Sequence, residues 1–179
     1  DCVKLAINNI SQEKFDFVFS GINHGKNTSV NVLYSGTVAG AIEGHLAEIP
    51  SIAFSMTSHD YNQDFSGARL YIKEIIDIII KNNDDKRLIL NVNIPSIKSS
   101  DIKGLKVAEL SNSKWIDTFE KRVDPFKREY YWFSGSYVID EKNQNSDDYL
   151  VENGYIVITP LKFNFTNSEK LDKLHFFEK

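Results

Sequence analysis

The segment "GINHGKN", residues 21–27, combines glycine with amide side chains directly after an apolar stretch. Asn23 and Asn27 offer side-chain carbonyl oxygens to a hard cation, or amide groups to a phosphate. Gly21 and Gly25 allow backbone conformations that other residues disfavour. A loop of this composition can therefore bring polar atoms close to a metal ion or an anion.

The segment "YSGTVAGAIEG", residues 34–44, carries hydroxyl side chains at the start of a predicted helix. Ser35 is placed as the N-cap, and the backbone N–H groups of Gly36 and Thr37 have no partner within the helix. Together with the helix dipole, these groups favour a bound anion such as phosphate. The same composition also fits an ordinary capped turn, because neither segment is a Walker loop or a dinucleotide-binding fingerprint.

Alternating strand and helix patterns surround these two segments. Strands are predicted at residues 15–20, 49–56 and 87–95, and helices at 37–47 and 66–81. This order predicts a parallel α/β sheet, in which ligands bind at the carboxyl ends of the strands. Gly40 and Gly44 share one helix face with Gly36, so the first helix is expected to approach the sheet closely.

The second part of the chain has a different pattern. Strand-like segments such as "REYYWFSG" and "GYIVITPLKF" alternate with long polar connections at residues 111–127 and 139–148. Exposing the aromatic residues of this region would be costly; they are Trp115, Phe119, Phe126, Tyr130, Tyr131 and Trp132. We therefore expect residues 1–110 to belong to the α/β core. Residues 111–179 would supply an antiparallel arm that packs on another subunit, a closing strand and a short C-terminal helix.

Composition narrows the classes of partner. The 21 basic and 25 acidic residues are mixed along the chain, so no basic stripe indicates a nucleic-acid polymer. The longest apolar run, "IIDIIIK", is far shorter than the about 20 residues that span a bilayer, and no membrane association is expected. Cys2 is the only cysteine, which excludes an intrachain disulfide and favours a reducing, cytoplasmic location.

The sequence resembles the SurE family, the metal-dependent 5′-nucleotidases and acid phosphatases. The matching motifs are "DCV" at residues 1–3, "FSGINHGKN" at 19–27, "YSGTVAGAIEG" at 34–44, "IPSIAFS" at 49–55 and "SDDYLVENGYIVITPL" at 146–161. The resemblance implies a Rossmann-like α/β core. It also implies a C-terminal β-hairpin arm and tail that are exchanged between the subunits of a homodimer or homotetramer.

The resemblance further implies roles for individual residues. Asn23 matches the family's metal-ligating asparagine, the metal being Mg²⁺ or Mn²⁺. Ser35, Gly36 and Thr37 match the turn that holds the phosphate, and Asn27 matches a residue near that pocket. The implied reaction is the hydrolysis of nucleoside 5′- or 3′-monophosphates by metal-activated water, with Asn23, Ser35 and Thr37 as the catalytic residues.

One part of the family pattern has no counterpart among these 179 residues. The family's first strand ends in an adjacent Asp-Asp-Gly that supplies the principal metal ligands and precedes "DCV". The pairs Asp84-Asp85 and Asp147-Asp148 lie elsewhere in the sequence. We therefore expect the native protein to have an N-terminal segment with these acidic ligands. The alternative is a catalytically incomplete SurE-like module for binding or assembly.

The histidines give weaker indications. His24 lies within the glycine loop and His59 follows a predicted strand, so each could contact a substrate, although a solvent-exposed role fits His24 equally well. His45 is expected to have a packing or surface role, and no functional role is assigned to His175.

Overall fold

Two sheets organise the structure, a computed structural model that describes residues 1–82, 85, 87–140 and 142–178. The larger sheet has the strand order β1-β2-β3-β7-β4, and the smaller sheet is a hairpin of β5 and β6. The strands are β1 (Val18–His24), β2 (Ser51–Met56), β3 (Ile89–Ile94), β4 (Leu105–Val107), β5 (Lys114–Val123), β6 (Glu129–Val138) and β7 (Ile156–Pro160).

Helices connect most of these strands. They are α1 (Cys2–Leu5), which continues into a π-helical turn (Ala6–Ile10), α2 (Gly36–Leu46), α3 (Ser66–Asn82), α4 (Asp147–Glu152) and α5 (Ser168–Leu171). Three 3₁₀ segments follow the same order along the chain: Ser29–Tyr34, Ser99–Asp101 and Asp172–Phe177. Within the described ranges, none of the helices has the length and apolar character needed to cross a bilayer.

The predicted α/β fold with a mostly parallel sheet is confirmed. Strands β1, β2 and β3 are parallel, whereas β7 runs antiparallel to β3 and β4 runs parallel to β7. Helix α4 contacts β3, and β7 pairs with β3 from Val157, opposite Asn93, to Pro160, opposite Leu90. The chain therefore enters β7 near the carboxyl end of β3 and has to run back along it.

The core lies on both faces of β2 and β3, which are buried along their full length. On one face, Ile52 and Phe54 of β2 pack with Ile75 of α3. On the other face, Ala53 belongs to a cluster with Val38 of α2. The spacing of apolar residues in α3 follows the predicted amphipathic pattern. Strand β2 therefore has α3 on one face and α2 on the other.

Small residues let α2 lie close to the sheet. A Cβ atom added to Gly40 would lie 2.6 Å from the Ser20 Oγ, and one added to Gly44 would lie 2.7 Å from the Val18 Cβ. The expectation of a close approach is therefore confirmed for these two glycines. It is wrong for Gly36, where an added Cβ would meet nothing within 4 Å because this residue is the exposed first residue of the helix.

The β5–β6 hairpin extends away from the larger sheet as a ribbon. Its strands pair antiparallel from Lys114 and Val138 to Val123 and Glu129. The antiparallel arm is therefore confirmed as a hairpin, but β5 falls in a segment where the sequence shows no recognisable strand pattern. The reason is that both faces of β5 are largely exposed, so apolar and polar residues need not alternate.

The close approach of α2 gives a first prediction. Gly44→Ala is expected to lower the free energy of unfolding by about 1 to 3 kcal/mol, because the new methyl group overlaps Val18 and Ser51. Helix propensity alone predicts the opposite sign. Chemical denaturation of Gly44→Ala and of the open-space control Gly36→Ala would test this, and a Gly44→Ala variant as stable as the wild type would contradict it.

Candidate functional site

Asn23 lies at the carboxyl end of β1, after an irregularity in the pairing of β1 with β2 between Ser20 and Asn23. Gly21 is required there, because its φ is +117° and an added Cβ would lie 2.3 Å from the Phe54 carbonyl oxygen. The Asn23 Nδ2 donates to the carbonyl oxygens of His24, at 3.1 Å, and Gly25, at 2.8 Å. These bonds fix the amide and leave its oxygen as the atom suited to ligation.

Asn27 ties the loop after β1 to strands β2 and β3. Its backbone N–H donates to the Asn93 Oδ1 at 2.8 Å, and its Nδ2 donates to the Ser55 Oγ at 2.8 Å. Its carbonyl oxygen accepts from the Asn91 Nδ2 at 2.7 Å. Asn27 is buried, so the structure gives it a positioning role; its contact with phosphate remains a prediction.

The N-terminus of α2 has the predicted cap. The Ser35 Oγ accepts from the Val38 backbone N–H at 3.1 Å, and Gly36 is the first residue of the helix. The N–H groups of Gly36 and Thr37 belong to the first turn, where no helical carbonyl lies at i−4. Since α2 follows the loop at the carboxyl end of β1, these donors and Asn23 belong to the same edge of the sheet.

A second loop, residues 57–65, packs against the end of β1. The Gly25 N–H donates to the Ser58 carbonyl oxygen at 2.8 Å. The His59 ring occupies the space beside Gly25, where an added Cβ would lie 2.1 Å from its Cε1. His24 and His59 therefore lie near the candidate site, and the glycine is what allows His59 to approach.

A divalent ion, which the resemblance implies, needs more ligands than these residues offer. Over the described ranges, no group of three or more His, Cys, Asp or Glu side chains could hold a metal ion. Asn23 supplies one neutral oxygen, whereas Mg²⁺ is usually bound through carboxylates. Asp84 lies outside the described residues, and the Asp85 Oδ1 accepts from the Arg87 N–H at 2.8 Å. The described residues therefore do not form a divalent-metal site by themselves.

The carboxylate of Asp147 is buried and joins three segments. It accepts from the backbone N–H groups of Ser29 at 2.9 Å, Ser111 at 2.8 Å and Asp148 at 2.7 Å. Burial raises the pKa of Asp147 above its usual value, although these three bonds oppose the shift. The site loop, the start of the arm and the N-terminus of α4 are held together at this one side chain.

Asp148, the second aspartate of the pair, is also buried. It lies 2.7 Å from the Lys26 Nζ and accepts from the Thr28 Oγ1 at 3.0 Å. Burial by itself would raise the pKa of Asp148, but the hydrogen bond from Lys26 and further polar contacts outweigh it, so the pKa is lowered. Lys26 also pairs with Glu152 and lies 5.1 Å from the ring centroid of Tyr137, a residue of β6.

Sequence reasoning did not identify this cluster. Two acidic residues before "YLV" are a pattern typical of the first turn of a helix, where acidic residues are common and exposed. Their burial depends on Lys26, Ser29 and Ser111, which are distant in the sequence. Two adjacent aspartates at the start of a helix therefore indicate burial only when their partners elsewhere in the fold are known.

The ion pair gives a second prediction. Asp148→Asn is expected to lower the free energy of unfolding at neutral pH by about 2 to 3 kcal/mol, somewhat less than for a fully buried pair, because Lys26 reaches solvent. The folded-state pKa of Asp148 is below the ordinary value of 3.8, so its contribution is present above that value and is lost as the pH falls through the lower one.

The measurement is chemical denaturation of the wild type and the variant over a range of pH. Their difference should shrink as the pH falls below about 4. The control is Asp77→Asn, whose partner Lys73 and whose own side chain are both exposed, and which should change stability by less than about 0.5 kcal/mol. Equal effects of the two substitutions would contradict the role given to Asp148.

Comparisons with known proteins agree with this architecture. Residues 1–117 match the family model described as Survival protein SurE. A protein named 5′-nucleotidase SurE from Flavobacterium psychrophilum is 39% identical over 175 residues, which cover 98% of this chain and 68% of the relative. A protein of the same name from Christiangramia forsetii is 42% identical over 166 residues, covering 93% of this chain and 64% of the relative.

A solved structure gives the same result. The crystal structure of the SurE protein from Aquifex aeolicus matches with a TM-score of 0.88 and 33% sequence identity, over 100% of this chain and 72% of that one. The chain spans about two thirds of the length of the curated relatives it matches. The family match over residues 1–117 and the relatives near 40% identity show that the chain belongs to the SurE family.

Proposed function

We propose that the protein hydrolyses phosphomonoesters, and nucleoside 5′- or 3′-monophosphates in particular. The main support is the identity of 39% along almost the whole chain with a protein named 5′-nucleotidase SurE. The arrangement at the carboxyl edge of the sheet is consistent with this, because it combines an oriented amide oxygen at Asn23 with the N-terminus of α2.

The N-terminus of α2 is suited to the phosphate end of the substrate. The N–H groups of Gly36 and Thr37 and the Thr37 hydroxyl would donate to phosphate oxygens, and the helix dipole would favour their negative charge. The Ser35 Oγ accepts from the Val38 N–H through one lone pair, and its O–H would remain to donate to a phosphate oxygen. Asn27 would hold the connecting loop in place, and its contact with the phosphate would be limited to the edge of the phosphate site.

A divalent ion, Mg²⁺ or Mn²⁺, would supply Lewis-acid stabilisation and an activated water in such a reaction. Asn23 would offer one oxygen ligand, and its two bonds to backbone carbonyls would keep that oxygen in position. The carboxylate ligands would come from outside these 179 residues, which is compatible with the greater length of the relatives.

This function gives a third prediction. The complete protein, with the segment that supplies the carboxylate ligands, is expected to release phosphate from nucleoside monophosphates with Mg²⁺ or Mn²⁺, and excess chelator should abolish the release. Asn23→Ala should raise the metal concentration needed for half-maximal activity by about tenfold or more. The measurement is phosphate release at graded metal concentrations.

The matched control for Asn23→Ala is Asn8→Ala. Asn8 likewise donates from its Nδ2 to a backbone carbonyl, that of Lys4, at 2.8 Å, but it lies in the N-terminal helical segment. Activity that is indifferent to chelator would refute the metal-dependent reaction. No release with either metal would favour the binding or assembly module instead.

We also propose that the β5–β6 ribbon packs against a second copy of the chain in a homodimer or homotetramer. Trp115, Phe119 and Val123 are spaced four residues apart in β5 and so share one face of the ribbon, with Asp117 and Lys121 between them. Phe119 faces Phe133 across the pair, with ring centroids 5.2 Å apart, and both rings are exposed. An exposed apolar face of this kind is typical of a protein interface.

A fourth prediction concerns this ribbon. The double variant Phe119→Asp/Phe133→Asp is expected to weaken self-association at least about tenfold, because it places charges in the centre of the apolar face. Light scattering coupled to size-exclusion chromatography over a concentration series would measure this. The control, Thr118→Ala/Ser134→Ala, changes a hydrogen-bonded pair on the opposite face; an unchanged mass in the aspartate variant would refute the contact.

A further inference from the structure

Two buried asparagines lie in β3, the middle strand of the larger sheet. Asn91 and Asn93 occupy alternate positions of this strand, and both are 0% exposed. They share the face of β3 that carries Ile89, which packs with Val38 of α2. Asparagine is poorly suited to a central strand, and burying its amide is costly unless hydrogen bonds satisfy it. The partners of these two amides therefore indicate their role.

Both amides bind the backbone of one residue, Asn27, in the loop after β1. The Asn93 Oδ1 accepts from the Asn27 N–H at 2.8 Å, and the Asn93 Nδ2 donates to the Asn27 carbonyl oxygen at 3.2 Å. One side chain thus pairs with both backbone groups of a residue, as an adjacent antiparallel strand does. The Asn91 Nδ2 donates to the same carbonyl oxygen at 2.7 Å. Three hydrogen bonds therefore fix the chain at Asn27 to the centre of the sheet.

The backbone held in this way leads directly to Asn23. Gly25 lies two residues before Asn27, and its carbonyl oxygen accepts from the Asn23 Nδ2 at 2.8 Å. A shift of the chain at Asn27 would therefore move the acceptor that sets the rotation of the Asn23 amide. Displacements of about 1 Å in such supporting contacts can cost a hundredfold in rate.

We propose that Asn93, assisted by Asn91, is a positioning residue of the candidate site. It fixes the backbone at Asn27 and, through the Gly25 carbonyl, holds the Asn23 side-chain oxygen in one orientation. Asn93 itself is buried and touches no substrate. The catalytic consequence rests on the proposed hydrolase function, whereas the orientation of Asn23 can be measured without turnover.

The first measurement follows the Asn23 side-chain amide of the complete protein by ¹H–¹⁵N NMR, its signal being identified by its loss in Asn23→Ala. Asn93→Ala is expected to speed the exchange of these amide protons with water at least about tenfold. Asn93→Leu keeps most of the buried volume and should act in the same way, which covers an Asn93→Ala chain that does not fold. The control is Ser51→Ala, which removes an equally buried bond, from the Ser51 Oγ to the Ile49 carbonyl oxygen at 2.7 Å, at the amino end of β2. Unchanged Asn23 exchange in the Asn93 variants would overturn the proposal.

The second measurement is phosphate release from AMP by the complete protein. Asn93→Ala is expected to lower kcat about tenfold, but by less than about twofold when Asn23 is already alanine, because Asn93 acts through Asn23. An equal factor in both backgrounds, or a wild-type kcat in Asn93→Ala, would refute the positioning role and leave the hydrolase standing. A wild type that releases no phosphate, while the Asn93 variants still free the Asn23 amide, would refute the hydrolase and keep the orientation of Asn23 by Asn93.

Discussion

The buried carboxylate of Asp147 is the contact on which the position of the site loop depends. A buried charge is costly unless hydrogen bonds satisfy it, and here the donors are backbone N–H groups from Ser29, Ser111 and Asp148. These donors come from three segments that meet only when the arm and α4 have returned to the sheet. The folding of the second part of the chain is therefore a condition for the correct path of the loop between β1 and α2.

The pKa of the neighbouring carboxylate, Asp148, is shifted in the opposite direction to that of Asp147. Asp147 receives only neutral donors, so burial dominates and its pKa rises, whereas Asp148 faces the Lys26 ammonium and its pKa falls. Lys26 also contacts the ring of Tyr137 in β6. The loop that follows Asn23 and the base of the ribbon are thus in contact through Lys26 and Tyr137.

The parts of the fold that follow from local patterns could be predicted from the sequence. Helix α3 has apolar residues at helical spacing, and Ser35 is followed by the free N–H groups that a cap satisfies, so both were predicted close to their observed positions. The direction of β7 and the burial of Asp147 depend on contacts distant in the sequence. Asn27 shows the limit most clearly: an amide in a glycine loop looks the same whether it binds a ligand or, as observed, the amides and hydroxyl of β2 and β3.

The two adjacent residues at the end of β1, Asn23 and His24, contact different parts of the structure. Consecutive side chains of a strand point to opposite faces of the sheet, and His24 contacts Phe65, the residue just before α3. Asn23 is held by the backbone carbonyls of the loop that leads to α2. Asn23 and His24 therefore contact different loops, one that leads to α2 and one that leads to α3. The two loops are nevertheless joined, because Gly25, whose carbonyl accepts from Asn23, donates its N–H to the Ser58 carbonyl of the loop of residues 57–65. A change in the loop of residues 25–29 would also alter the Asp147 contact, which Ser29 makes.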